Sequence, residues 1–301
     1  MNDFEKGIVV ATRGRLFEVC AQNGTHLKCE IRKKVKIETK NITPVAVGDN
    51  VLFSRNTNNQ GIIEKVLERD SLFARPAKGK DNVLQVIAAN LDHLAIVVSV
   101  NSPPLKTGLI DRFIIVAQMG EMTPFIIINK MDLKPPENLE EIIAAYQSLN
   151  IDVLVTSALT GKGIKELEKY LQRHRSLTVG HSGVGKSSIL NKLIPDLNIK
   201  TLPISEYTNK GKHSTTSIEL YELPSGGFIA DSPGLKILNL WNIDKEKLPA
   251  YFSEFEKYQD KCRFSPCSHT HEPDCAVKEA VKKGYIYQFR YDNYLAIANS
   301  L

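Results

Sequence analysis

The chain is poor in the features that would place it in a membrane or outside a cell. Apolar runs such as Leu94–Val98 and Phe125–Ile128 are four or five residues long, far below the roughly 20 that a bilayer-crossing helix needs. The first residues, Met1-Asn2-Asp3-Phe4-Glu5, have neither the basic start nor the apolar stretch of a secretory leader, so none is expected. Neither end shows a lipidation cysteine, which argues against an anchored signalling protein. Cysteine is scarce and odd in number, with five residues, three of them crowded between Cys262 and Cys275. That distribution opposes a disulfide framework and favours a reduced compartment, the cytoplasm, with a metal site. Low-complexity sequence is nearly absent, and 301 residues suffice for two or three domains with a sizeable core.

Charge is distributed unevenly. The net charge is +5, yet residues 1–80 hold 15 Lys and Arg against 9 Asp and Glu, while the remainder holds 24 against 25. The positive excess therefore sits wholly in the N-terminal part, as expected of a surface that meets a polyanion, although a solvated basic face accounts for charge alone equally well. The same part reads as short strands at Gly7–Ala11, Arg15–Ala21, His26–Ile31, Asn50–Ser54 and Gly61–Leu67. Asn23-Gly24 is a hairpin signal, because both residues accept positive φ. Five short strands with a basic face predict a closed barrel of the OB type over residues 1–70, a fold that binds single-stranded or irregular nucleic acid. An SH3-like barrel has the same strand count and stays open at this point.

A basic connector containing proline and glycine follows, and 71–84 is read as a linker. Beyond it the periodicity changes. Unbroken apolar strands (Leu94–Val100, Phe125–Asn129, Asp152–Thr156, Leu177–Val179) alternate with helical spacings over Gly108–Met119, Asn138–Leu149 and Gly163–Gln172. Such alternation means a parallel sheet covered on both faces. After Trp241 strand signals fade into a Cys/His cluster and amphipathic helices, the last from Tyr285 onward.

Gly180-His181-Ser182-Gly183-Val184-Gly185-Lys186-Ser187 matches the phosphate-loop pattern G-x-x-x-x-G-K-[ST], with a strand before it and a helix from Lys186 after it; Ser188 follows. The glycines let backbone N–H groups turn toward a β-phosphate at a helix N-terminus. Lys186 would bridge β- and γ-phosphates, and Ser187 would ligate Mg²⁺. Asp231-Ser232-Pro233-Gly234, after the hairpin Ile218–Leu223 and its turn Ser225-Gly226-Gly227, fits the second phosphate motif. There Asp231 would hold Mg²⁺ through water, and the Gly234 amide would sense the γ-phosphate. Asn129-Lys130-Met131-Asp132 ends an apolar strand, where open α/β sheets bind ligands. A carboxylate at Asp132 accepts from guanine N1–H and its exocyclic amine; adenine offers no such pair, so GTP is selected over ATP. Thr156-Ser157-Ala158 fits the loop whose backbone amide meets guanine O6. The stretch from Ile194 to Thr216 stands where switch I belongs, with Thr215 favoured over Thr216 as the Mg²⁺ contact. Leu235 occupies the place where many GTPases carry a water-orienting glutamine, which makes His213 the candidate for that work, against its plainer reading as a surface histidine.

The guanine motif precedes the phosphate loop, the reverse of the ordinary order, so the domain reads as circularly permuted. Cys262, Cys267, His269 and Cys275 supply three thiolates and an imidazole within fourteen residues, the set a structural Zn²⁺ wants, with His271 as a competing ligand. Taken together, these motifs resemble the circularly permuted, small-ribosomal-subunit-dependent GTPases, the RsgA or YjeQ family. The resemblance rests on Asn129–Asp132, Gly180–Ser188, Gly211-Lys212-His213-Ser214-Thr215-Thr216, Asp231–Gly234 and the Cys/His set, and it covers nearly the whole chain. It implies an OB-like barrel at 1–70, a permuted GTPase domain at 85–240 and a zinc-binding, mainly helical domain at 241–301. It further implies late maturation of the small (30S) ribosomal subunit, GTP hydrolysis stimulated by that particle, rRNA contact and Zn²⁺ on the four named residues. The protein is expected to act as a monomer. His181 and Ser214 depart from the family pattern. The rival from another class is a nucleic-acid-binding module that holds GTP as a regulatory ligand with negligible turnover.

Overall fold

A computed structural model of the chain describes residues 4–32, 43–57, 59–77, 80–197, 199, 218–231 and 243–301. The first five strands, β1 (Glu5–Arg13), β2 (Leu16–Ala21), β3 (His26–Ile31), β4 (Asn50–Thr57) and β5 (Gln60–Val66), close into a barrel in the order β1-β2-β3-β5-β4. Strand β3 pairs parallel with β5, while β1 pairs antiparallel with β4. This Greek-key closure is the OB arrangement, and it decides the choice that strand count left open. Inward positions alternate along the strands as the pleat requires, so Val9, Val19, Leu27, Val51, Phe53 and Ile63 fill the interior.

The segment expected to be a connector is instead a hairpin of β6 (Leu72–Ala77) and β7 (Lys80–Ala89). An isolated two-stranded ribbon is marginal in water. Here its backbone is fastened at both sides: the Leu72 amide donates to Gly120 O at 3.0 Å, and the Ala89 amide to Val47 O at 2.8 Å. Phe73, Ala88 and Ala89 are fully buried against these neighbours.

The central sheet contains β8 (His93–Ser99), β9 (Thr123–Asn129), β10 (Val153–Val155), β11 (Arg175–Val179), β12 (Leu220–Glu222) and β13 (Phe228–Asp231), ordered β10-β9-β8-β11-β13-β12. All neighbours are parallel except the β12–β13 hairpin. Period-two alternation divides each apolar strand between two cores. Leu94, Ile96 and Val98 face one side with α1 (Thr107–Met119) and α2 (Leu139–Gln147). Ala95 and Val97 face the other with α3 (Ile164–Leu171) and α4 (Lys186–Leu193). Val10, Cys20 and Val47, on the outside of the barrel, belong to the first of these cores, so barrel and sheet share buried apolar surface.

The C-terminal part carries α5 (Glu256–Gln259), α6 (Ala276–Lys282) and α7 (Gln288–Ser300), the last starting three residues later than its sequence pattern suggests. Helix α7 lies against α1 through a buried ionic network. The Arg290 guanidinium donates to Asp111 and also reaches Glu254 Oε1 at 2.7 Å. Tyr146 and Asn293 donate to the two Asp111 oxygens at 2.8 and 2.6 Å. The arginine also lies over the Phe252 ring, 4.7 Å from its centroid. Burial raises the Asp111 carboxyl above its ordinary pKa, and the opposing Arg290 charge and the hydrogen bonds offset part of that cost. Among the described residues no helix is long and apolar enough to cross a membrane.

Candidate nucleotide site and metal cluster

The phosphate loop follows β11 at the carboxyl edge of the sheet, and two of its glycines are required by contact as well as by conformation. Gly180 has φ +145°, and a Cβ there would lie 2.1 Å from Val97 O. Gly185 has φ +98°, and its Cβ would meet Asn129 Nδ2 at 2.3 Å. Lys186 curls back over the loop, donating to Gly180 O at 2.9 Å and His181 O at 3.2 Å. Burial lowers its pKa, and the nearby Asp231 charge opposes the shift. The half-buried ammonium therefore rests against two carbonyls of the loop itself. His181 points outward, with Nδ1 donating to Ser182 O at 2.8 Å.

Asp231, at the end of β13, accepts from Ser187 Oγ at 3.1 Å through Oδ2. Its Oδ1 is buried without a hydrogen-bond partner among the described residues. A buried carboxylate oxygen left bare beside a serine hydroxyl is a costly arrangement that a cation relieves, so the pair fits Mg²⁺. Gly234, Thr215, His213 and Leu235 lie outside the described residues, and so does nearly all of the stretch read as switch I.

Asn129 joins the phosphate loop to the loop that follows β10. Its Nδ2 donates to Val184 O at 2.9 Å, while its Oδ1 accepts from Ala158 N at 3.1 Å and Thr156 Oγ1 at 3.2 Å. The Ala158 amide is therefore already engaged by Asn129. Ser157 Oγ donates to the Asp132 carboxylate, which fixes the orientation of that group. The Met131 amide donates to Thr156 O at 3.1 Å. Lys130 sits at φ +65°, and its ammonium donates to Ser102 O. Ser102, on the loop after β8, had no sequence signal of its own. The carbonyl of Lys162, which accepts from the Ser157 amide at 2.9 Å, is similarly silent. Ser182, Gly183 and Ser188 complete the loop and the first turn of α4.

The Cys/His set also converges. One donor atom each from Cys262, Cys267, His269 and Cys275 lies within 4.8 Å of the others. Cys262 Sγ is 3.8 Å from Cys275 Sγ and 3.6 Å from His269 Nδ1. Metal–sulfur bonds of about 2.3 Å in a tetrahedron put sulfurs about 3.8 Å apart, so the spacing suits Zn²⁺. Burial pushes the Cys267 thiol up to about 12, and the neighbouring cysteines add to the rise. A divalent cation reverses that penalty. Tyr291 OH holds the ligand loop by donating to His269 O at 2.7 Å, and Tyr294 OH donates to Ser268 O. His271 is exposed and outside the cluster, its Nδ1 3.0 Å from Thr270 Oγ1.

A phosphate loop after β11 and an N-K-x-D motif ending β9, joined through one asparagine in reversed chain order, define a circularly permuted P-loop GTPase. The family model described as RsgA GTPase matches residues 66–241. The chain is 37% identical to the small ribosomal subunit biogenesis GTPase RsgA of Chlorobaculum parvum, over 100% of this chain and 99% of that protein. It is 36% identical to the protein of the same description from Flavobacterium psychrophilum, over 97% and 91%. Among solved structures, YjeQ from Thermotoga maritima superposes with a TM-score of 0.80 at 35% identity, covering 99% of both chains. YloQ, described as a circularly permuted GTPase, gives 0.75 at 28% identity, covering 99% of this chain and 94% of its own. The chain belongs to the RsgA GTPase family and is a GTP-hydrolysing enzyme.

Proposed function

We propose that the chain hydrolyses GTP as a step in the late maturation of the small ribosomal subunit, in the cytoplasm. The observation that carries this reading is the convergence on Asn129, because it makes one guanine-nucleotide pocket from motifs in permuted order. Full-length likeness to relatives described as small ribosomal subunit biogenesis GTPases supports the choice of substrate particle.

In this reading Asp132, oriented by Ser157, accepts from the two guanine donors, and the Lys130 stem covers the base. Backbone amides from Gly180 to Ser188 cradle the phosphates. Lys186 leaves the loop carbonyls for the β- and γ-phosphate oxygens. Ser187 and Asp231 would hold Mg²⁺, which when bound neutralises charge developing on those oxygens. Gly234 and Thr215 are assigned to γ-phosphate sensing, and His213 to positioning water. Cys262, Cys267, His269 and Cys275 would hold one structural Zn²⁺, the barrel contacts rRNA, and the protein works as a monomer. Loss of the γ-phosphate then acts on the C-terminal part through the segment after Asp231, which leads directly into it.

The test is the GTPase rate of the full chain with and without small ribosomal subunits. Stimulation supports the proposal; a rate that the particle leaves unchanged favours the rival, a nucleic-acid-binding module regulated by GTP.

A further inference from the structure

The boundary between barrel and sheet brings together a second set of metal-binding side chains, distant in sequence from the Cys262–Cys275 cluster. Cys20 on β2 and His26 on β3 are direct cross-strand partners, so their side chains stand side by side on one face of that hairpin. The face is the outer one: Val19, the neighbour of Cys20, fills the barrel interior, whereas Cys20 belongs to the core shared with the sheet. Glu222, from β12 of the central sheet, completes the group across the boundary. One donor atom from each of the three lies within 4.8 Å of the others.

We propose that Cys20, His26 and Glu222 form a second metal site, which takes a zinc-type divalent cation and ties the barrel to the β12–β13 hairpin. The donor set carries the choice of ion. A thiolate, an imidazole and a carboxylate suit Zn²⁺, whereas Mg²⁺ and Ca²⁺ take oxygen ligands. Glu18 lies two residues before Cys20 on the same face, and its Oε1 is 3.0 Å from His26 Nδ1. That contact leaves Nε2 for the metal and reproduces the carboxylate that commonly orients a ligating imidazole. Three protein ligands leave a fourth position for water. The way in is a cavity of about 490 Å³, which Cys20 and Glu222 line together with Lys6 and Arg175. Zinc–ligand bonds of about 2.0–2.3 Å require the donor atoms to draw somewhat closer than 4.8 Å, and the exposed Glu222 side chain has room to do so.

The site has a mechanical setting. Strand β12 is already fastened to the barrel near its start, where Ala11 and Glu219 form an antiparallel bridge and Arg13 meets Glu219 at 3.2 Å. A metal on Glu222 would fasten its other end. Since β12 leads through a tight turn into β13 and Asp231, the barrel and the Mg²⁺-side carboxylate would then move as one body.

The test is metal stoichiometry on the full chain, stripped and titrated with Zn²⁺ and in parallel with Co²⁺. Wild type should bind one more equivalent than either Cys20→Ser or Glu222→Gln, and Cys262→Ser should retain that extra equivalent. The Co²⁺ form should lose one sulfur-to-metal charge-transfer contribution in Cys20→Ser. Glu222 is exposed, so Glu222→Gln keeps the fold even where Cys20→Ser does not. Equal stoichiometry in wild type and Glu222→Gln would overturn the proposal, whatever the state of the C-terminal cluster.

Discussion

Asn129 links loops that lie 55 residues apart through its bond to Val184, and its replacement by alanine gives a quantitative test of the pocket. The side chain is 1% exposed. Truncation strands the Ala158 amide and the Val184 carbonyl, which now point at its Oδ1 and Nδ2. A stranded buried group costs about 1–3 kcal/mol, and the lower end of that range, where the two loops relax around the gap, gives about 2–3 kcal/mol for the pair. The affected bonds hold loops rather than core, and loops open locally at less cost than the whole domain unfolds. The loss should therefore appear in ligand affinity, as a weakening of about 30- to 160-fold, with the global unfolding midpoint nearly unchanged. Titration with a fluorescent GDP analogue, beside a denaturant melt, separates the two quantities. A cross-check comes from Gly185→Ala, whose methyl would meet Asn129 Nδ2 at 2.3 Å. It should cost less in the Asn129→Ala background than in wild type, although strain from the positive φ remains in both. Affinity within threefold of wild type, or a loss matched by collapse of the unfolding transition, would refute the reasoning.

Three further outcomes are expected. Asp132→Ala should abolish the preference for GTP over ATP in competition binding while phosphate affinity persists, because in the proposed pose the carboxylate that Ser157 holds serves the base and not the phosphates. Arg290→Ala should destabilise the chain by about 3–5 kcal/mol in denaturant melts, since it leaves the buried Asp111 charge unpaired; a change below about 1 kcal/mol, the range of an exposed pair, would show the network to be solvated. Chelation of the Zn²⁺ proposed for the Cys262–Cys275 cluster should loosen the loop around His269 and raise proteolysis between those cysteines, while GDP binding at the phosphate loop stays intact.

How far these features could be read in advance depends on whether their cause is local. Strands such as Leu94–Val98 announced a buried parallel sheet because unbroken apolar runs have few other uses. The phosphate loop was legible because its spacing is imposed by contact with backbone, as at Gly180 against Val97. The hairpin of Leu72–Ala77 and Lys80–Ala89 was not legible. Its lysines, Pro76 and Gly79 read as connector, and what holds it is pairing with Val47 and Gly120, which are remote in sequence. The barrel type depended likewise on a parallel pairing of β3 with β5 that strand count does not contain. Nothing local sets Asp111 and Arg290 apart from the other charges of the sequence. Their burial follows from the docking of α7 on α1, a long-range event. Cys20 could be placed on a barrel strand, but nothing near it in sequence foretold Glu222 on the neighbouring sheet.

The pairing of Asp111 with Arg290 has a consequence during synthesis. The two are 179 residues apart, and at about 5–20 residues per second the arginine emerges roughly 10–35 s after its partner. Through that interval the helix of Asp111 must either keep its acid wet or carry it protonated, so α1 gains its final seat only when α7 arrives. A chain that stops short of the arginine is thereby left loose at one of the helices that cover the central sheet, open to proteases that a finished molecule resists.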